Sequence, residues 1–200
     1  VNTRKLHRAG WPSISLLEYR NVDMDLIFET SRLIIREFQL ADFETIHSYA
    51  SQATVVQYQN WGPNSPEETQ AFIAQSIAAQ HSKPRLTYEL AVVLKENSRH
   101  IGGCGIFVKD ADFQLAHIGY IIHPIYWNRS FATESINGLL EYARSALNIK
   151  AIKATCDQRN IGSQKVLEKN GFQLEKIMKD DFIQKGTMRT TLLYNYIYSG

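Results

Sequence analysis

The chain has 200 residues, 44% of them hydrophobic and 21% charged, ordinary values for a globular fold and enough length for one sizeable core. A formal net charge of +2 without a long basic block argues against a dedicated nucleic-acid binder, and no apolar run approaches the ~20 residues that a bilayer span needs. No charged n-region followed by a long apolar run marks a signal peptide, and Cys104 and Cys156, without C-x-x-C spacing, read as buried free thiols of an intracellular protein, so a cytoplasmic location is expected.

Residues 1–24 are polar, mixed and without periodicity, and are set apart as an N-terminal arm or extension; residues 25–200 are read as one domain. Thr30 to Phe38 reads as the first strand, with Arg32 and Arg36 solvated at its edge or ion-paired. Leu40-Ala41-Asp42 opens a helix, with Asp42 as N-cap or first-turn acid and Phe43, Ile46, His47 and Ala50 as its apolar stripe. Ser65-Pro66-Glu67-Glu68 is a strong helix start, with Ser65 as N-cap, Pro66 in the first helical position and Glu68 closing a capping box; that helix runs to about Gln80. Tyr88 to Lys95 reads as a strand, Asn97 to His100 as a turn and Ile101 to Phe107 as the returning strand. Gly102, Gly103 and Gly105 in that strand predict a bulge or the close approach of another group.

Gln114 to Ile122 is the next strand, closed by Pro124, and Ala132, Ile136, Leu139, Leu140, Ala143 and Leu147 then recur at helical spacing. Between them, Tyr126-Trp127-Asn128-Arg129-Ser130-Phe131-Ala132 delivers the chain into a helix N-terminus, where unpaired amides and the helix dipole make an anion site. Ala151 to Asp157 is a further strand, Ser163 caps a short helix, and Asn170-Gly171 ends that helix in left-handed backbone. Residues 172–198 read as two strands around Gln184-Lys185-Gly186.

Four strings carry a resemblance: TSRLIIREF, IGGCGI, HPIYWNRSFATES and NxxSxxVLEKxGF, the last spanning Asn160 to Phe172. Together they resemble the GNAT acetyltransferases, most closely the RimJ/RimL-like branch. The resemblance implies an α/β (α+β) fold, with a mixed, mostly antiparallel sheet of about seven strands flanked by helices and splayed strands forming an acetyl-CoA cleft. It further implies that the loop amides hold the cofactor pyrophosphate, giving Trp127, Asn128, Arg129, Ser130, Phe131, Ala132 and Thr133 as cofactor-binding residues, together with Ile121, Ile122, Asn160 and Ser163. Asn128 and Ser130 stand where the family usually has glycine. By analogy, the helical pair over the acceptor side brings Tyr58 and Trp61 to a substrate cleft, and a homodimer is expected.

The implied reaction is acyl transfer: a neutral amine attacks the thioester, a donor steadies the oxyanion and an acid protonates the thiolate. By resemblance Ser163 serves the thiolate. His117, where relatives carry glutamate, and Glu89 on the neighbouring hairpin strand are the alternative bases, with Tyr120 and Tyr126 as reserve acids and His123 as a support for the loop. The acceptor is a protein N-terminus or a small amine. The competing reading is a non-catalytic acyl-CoA-binding module, favoured by Ser130 and the missing glutamate at position 117. A P-loop protein is excluded because G-x-x-x-x-G-K-[ST] is absent, and the histidines show no metal-ligand spacing.

Overall fold

The computed structural model describes residues 26–109 and 114–198; the N-terminal arm expected for residues 1–24 lies outside them. Eight strands form one sheet in the order β1-β2-β3-β4-β5-β6-β8-β7. They are β1 (Leu26–Glu29), β2 (Leu33–Glu37), β3 (Thr87–Leu94), β4 (His100–Val108), β5 (Leu115–Ile122), β6 (Ala151–Asp157), β7 (Gln173–Gln184) and β8 (Thr187–Ile197). Every neighbouring pair is antiparallel except β5 and β6. Among the described residues no helix is long and apolar enough to cross a membrane.

The count of about seven strands is corrected to eight. The strand expected over Thr30 to Phe38 is shorter, Leu33–Glu37, because Thr30 opens a turn, its amide donating to the Leu33 carbonyl (2.9 Å) while its Oγ1 accepts from the Leu33 amide (3.1 Å), and the residues before it pair back as β1. Glu134 holds that turn from a distant helix, which no local pattern shows.

Two cores lie on the two faces of the sheet. One buries Leu90, Ile106, Ile118 and Ile152 against Ile136, Leu139 and Ala143 of α4 (Phe131–Ser145). The stripe expected on this helix is the buried one, and each fully buried aliphatic side chain contributes about 1.5–3 kcal/mol. The other core packs Ala91 and Val93 under α1 (Phe43–Ala50), α2 (Ala53–Val56) and α3 (Pro66–Gln80), through Phe38, Ile46, Tyr49, Val56 and Ile73. The capping box on α3 forms as read: the Glu68 amide donates to Ser65 Oγ (3.2 Å) and the Ser65 amide to Glu68 Oε2 (2.7 Å).

Asp42 makes no side-chain cap on α1 and is instead the first-turn acid of a 3-10 turn, Leu40–Asp42, that leads into it. Its carboxylate accepts from Arg36 Nη1 and Nη2 (2.7 and 2.6 Å) in a buried pair, with the Gln39 amide (2.9 Å) on the same group. Burial alone would raise its pKa, but Arg36 and His100, whose Nδ1 lies 3.2 Å away, outweigh that cost and hold the acid well below its usual range. Arg32 and Arg36 are thus both ion-paired, the former with Glu134 at 2.6 Å. His47 is a packing residue, stacked on Phe43 with its Nδ1 3.0 Å from Thr69 Oγ1. The three β4 glycines answer close approaches: a Cβ on Gly102 would stand 2.2 Å from the Ile121 carbonyl, one on Gly103 3.1 Å from the Phe38 ring, and one on Gly105 3.0 Å from a Glu89 carboxylate oxygen.

Candidate active site

β5 and β6 remain paired only where Leu115, Ala116 and His117 face Ala151, Ile152 and Lys153. Beyond that point the strands part, and the backbone of Ile118 to Ile122 has no ladder partner on β6. The opening is a cleft of about 680 Å³ bounded by β5, the start of α4 and the start of α5 (Ile161–Lys169), with Tyr58 and Gln59 at its rim.

One wall is the loop between β5 and α4. A 3-10 turn over Pro124–Tyr126 starts with His123, whose Nδ1 accepts from the Ile125 amide (3.3 Å), and Trp127 Nε1 donates back to the Ile122 carbonyl (2.6 Å). Asn128 and Ser130 have φ of 61° and 63°, so the two residues that replace the family's glycines adopt the left-handed backbone that glycine would give. The first intrahelical bond of α4 runs from the Glu134 amide to the Ser130 carbonyl (2.9 Å), leaving the amides of Phe131, Ala132 and Thr133 without an intrahelical acceptor at the positive end of the dipole.

This loop is braced from behind. Glu134 accepts from Thr30 Oγ1 (2.6 Å), Ser31 Oγ (2.9 Å), the Arg32 amide (2.8 Å) and Arg32 Nε (2.6 Å). Arg32 also donates from Nη2 to the Arg129 carbonyl (3.2 Å) and lies 4.4 Å from the centroid of the Phe131 ring. The TSRL string thereby fixes the loop that precedes α4. Arg129 itself is exposed, stands outside the cleft lining and sits 5.8 Å from the Tyr126 ring centroid.

The other wall begins at the end of β6. Asp157 is fully buried and accepts from the Arg159 amide, Nε and Nη2 at 2.8, 2.9 and 2.6 Å, and these bonds hold its carboxyl below the usual range. Asn160 rather than Ser163 caps α5: its Oδ1 accepts from the Ser163 amide (3.1 Å). Ser163 sits in the first turn, with its own hydroxyl free for another duty. Its Oγ lies 2.8 Å from the Tyr120 hydroxyl, which is also 3.1 Å from the Ser163 carbonyl oxygen. Burial pushes the Tyr120 pKa up, so this phenol keeps its proton at neutral pH.

Trp127, Asn128, Ser130, Phe131, Ala132, Thr133, Ile121, Ile122, Asn160 and Ser163 all line this cleft, as does Tyr120. His117 and Glu89 do not. His117 belongs to the closed end, where burial and the nearby Lys109 and Lys153 lower its pKa. Glu89 lies two strands from β5, in one cross-strand row with Gly105 and Gly119. Its carboxylate makes no hydrogen bond among the described residues, and burial pushes its pKa up to about 7.

A second cavity of about 380 Å³ continues from the first on the far side of Tyr120 and Ser163. Gly119, Asp157, Met178, Asp181, Phe182, Arg189 and Thr191 line it, again with Tyr58. Trp61 lines neither cavity. The hairpin tip between β7 and β8 closes this end. Lys185 Nζ donates to the carbonyls of Val56 (2.6 Å) and Trp61 (2.8 Å), and Gln184 Nε2 donates to the carbonyl of Gln59.

The acetyltransferase (GNAT) domain family matches residues 32–173. YoaA, an uncharacterized N-acetyltransferase of Bacillus subtilis, is 31% identical over 173 residues, 86% of this chain and 96% of YoaA. The crystal structure of a GNAT-family acetyltransferase from Bacillus anthracis superposes with a TM-score of 0.75 at 25% identity, covering 84% of this chain and 96% of that one. The fold is also shared with the spermidine N-acetyltransferase of Vibrio cholerae, solved in complex with CoA and spermine, at a TM-score of 0.74, 21% identity, and 84% and 96% coverage. The chain accordingly belongs to the GNAT acetyltransferase family, and it is an acyltransferase by that membership.

Proposed function

We propose that the protein transfers an acetyl group from acetyl-CoA to a primary amine, by direct attack of the amine on the thioester, as a member of the RimJ/RimL-like branch. The single observation that carries this reading is the junction of the two cavities. A long cleft begins at a bare helix N-terminus and meets a second cavity at the Tyr120–Ser163 pair, so a thioester entering by one and an amine entering by the other meet there.

The residues fit the donor. The amides of Phe131, Ala132 and Thr133 and the left-handed turn at Asn128 and Ser130 form a cradle for a pyrophosphate. The unpaired edge of β5 past His117 offers backbone groups to an extended amide-bearing arm, as a missing strand would. Asn160 and Ser163 border the reacting end. Tyr120, protonated and bonded to Ser163, supplies the proton that the departing thiolate takes as the C–S bond breaks and the C–N bond forms.

Glu89 is the proton acceptor for the amine. Strands lie about 4.8 Å apart, and its Oε2 already leans across β4 to 3.0 Å from where a Gly105 Cβ would sit. Glycine at both 105 and 119 keeps the row from Glu89 to the cavity free of their own side chains, with the Phe107 ring alongside, 3.1 and 3.5 Å from where the two Cβ atoms would sit, so a bound water relays the proton to the carboxylate. A carboxyl with pKa about 7 is matched to proton transfer at neutral pH. His117, with its pKa lowered among lysines, is the weaker base.

The test is release of the CoA thiol on mixing the protein with acetyl-CoA and a panel of primary amines: amino acids, polyamines, aminoglycosides and short peptides with free N-termini. Amine-dependent thiol release with acetylated product supports the reading. Tight acetyl-CoA binding without turnover of any amine would instead describe a binding module.

A further inference from the structure

The second cavity holds one buried charge that makes no ion pair among the described residues. Arg189 on β8 is 93% buried by exposure of 7%, and it lines the cavity beside Tyr120 and Ser163. Its Nη1 donates to Gln184 Oε1 (2.7 Å), a neutral partner, and its Nε is buried with no partner among the described residues. Asp157, a buried carboxylate that feels its charge, is taken up by three bonds from Arg159. A buried guanidinium without a counter-charge is costly, because burial of an ion is offset only by pairing and hydrogen bonding. The surroundings hold it in place: its guanidinium lies 5.1 Å from the Phe182 ring centroid, and Gln184 is itself pinned to the Gln59 carbonyl.

The geometry points to an acceptor that carries a carboxylate, a small amino acid or a close relative, seated with that carboxylate on Arg189 and its amine toward Ser163 and Tyr120. This inference rests on the acetyltransferase reading above and narrows its acceptor. With Nη1 held by Gln184, the Nε and Nη2 groups form the remaining edge of the guanidinium, the arrangement that grips a carboxylate through two parallel N–H···O bonds. Asp181 on β7 lines the same cavity; its Oδ2 accepts from Thr191 Oγ1 (2.8 Å), and its other oxygen is available to the ammonium form in which such a substrate arrives. A volume of about 380 Å³ suits a single amino acid better than a folded N-terminus. A polycation gains little here, since Asp157 is already held by Arg159 and Arg189 adds a positive charge to the cavity.

The experiment measures kcat/KM with acetyl-CoA for the twenty L-amino acids, for the corresponding amino-acid amides, for spermidine and for a peptide amide with a free N-terminus. In parallel, the CoA-loaded protein is titrated calorimetrically with the same compounds, so that recognition is read without turnover. At least one amino acid is expected to exceed its own amide by 10-fold or more in both measurements. Arg189→Met is expected to abolish that preference, the loss falling chiefly on KM and being at least 10-fold greater for the amino acid than for its amide. Arg189→Lys, which keeps the buried charge and the fold but loses the paired donors, is expected to fall between. Amides, spermidine or the peptide performing as well as the amino acids would overturn the inference while leaving the acetyltransferase reading intact. An amino-acid preference that survives in both variants would also overturn it. Amino-acid binding to the CoA complex that depends on Arg189 but yields no acetylated product would sustain the carboxylate site and sink the catalytic reading instead.

Discussion

Replacing Glu89 by glutamine separates stability from catalysis in one variant. In the folded protein the carboxyl titrates at about 7 against a reference of 4.5, because burial disfavours its charged form. Between those values the folded state binds a proton that the unfolded state has released, so the group lowers stability as pH rises. At about 1.36 kcal/mol per unit of pKa difference, the cost approaches 3 kcal/mol above pH 8, and about 2–3 kcal/mol of it accumulates between pH 5 and pH 8. Glu89→Gln removes that slope. Urea denaturation of wild type and variant at both pH values is the assay, and their difference isolates the group. His117 and His123 have lowered folded pKa values, so their contribution to stability rises as pH rises through the usual histidine range, equally in both proteins. The variant is expected to match wild type at pH 5 and exceed it at pH 8 by about 2–3 kcal/mol, while kcat/KM at pH 7 falls by about 100-fold with the loss of a general base. Parallel stability profiles would refute the burial argument, and unchanged kcat/KM would refute the role assigned to Glu89.

Three further outcomes follow from the cleft. Arg32→Met removes the bonds to Glu134 and to the Arg129 carbonyl, and is expected to weaken CoA binding about 10-fold, or about 1.4 kcal/mol, in calorimetry. Gly102→Ala places a Cβ 2.2 Å from the Ile121 carbonyl and 2.9 Å from Ile122 Cα, so β4 and β5 must part; a loss of about 3 kcal/mol or more is expected in chemical denaturation. Ser130→Gly relieves a left-handed serine worth ~1–2 kcal/mol and returns ~0.4–1 kcal/mol of unfolded-state entropy, for a net gain of roughly 0.5 kcal/mol with CoA affinity retained.

The cleft proposed for the cofactor was legible because it is local. HPIYWNRSFATES and NxxSxxVLEKxGF each lie within one turn-and-helix unit, and of the cofactor residues expected from them all but Arg129 line one cleft. Asn128 and Ser130 departed from the usual glycines in identity but not in backbone conformation. The cap of α5 was assigned to the wrong residue because Asn160 and Ser163 are both good N-caps, and only the register of the first turn selects Asn160. β1 escaped notice because its turn is held by Glu134, about a hundred positions away. The cavity proposed for the acceptor was illegible for the same reason. Arg189, Asp181 and Gln184 look like ordinary hairpin residues until the β7–β8 tip docks on the loop after α2, a contact that no periodicity announces. Glu89 was visible as a titratable strand residue, but its reach across Gly105 depends on the pairing of β3, β4 and β5.

The central claim is that the cleft between β5 and β6 is an acetyl-CoA site, and thermal unfolding of the protein with acetyl-CoA, free CoA or ATP tests it most directly. A ligand present at 100 times its dissociation constant stabilises the fold by about 2.7 kcal/mol, which for a chain of this size raises Tm by roughly 5–10 °C. Acetyl-CoA and CoA are expected to produce that rise and ATP to produce none. An unchanged Tm with all three at millimolar concentration would contradict the claim, and with it the acyl-transfer mechanism built on the Tyr120–Ser163 junction.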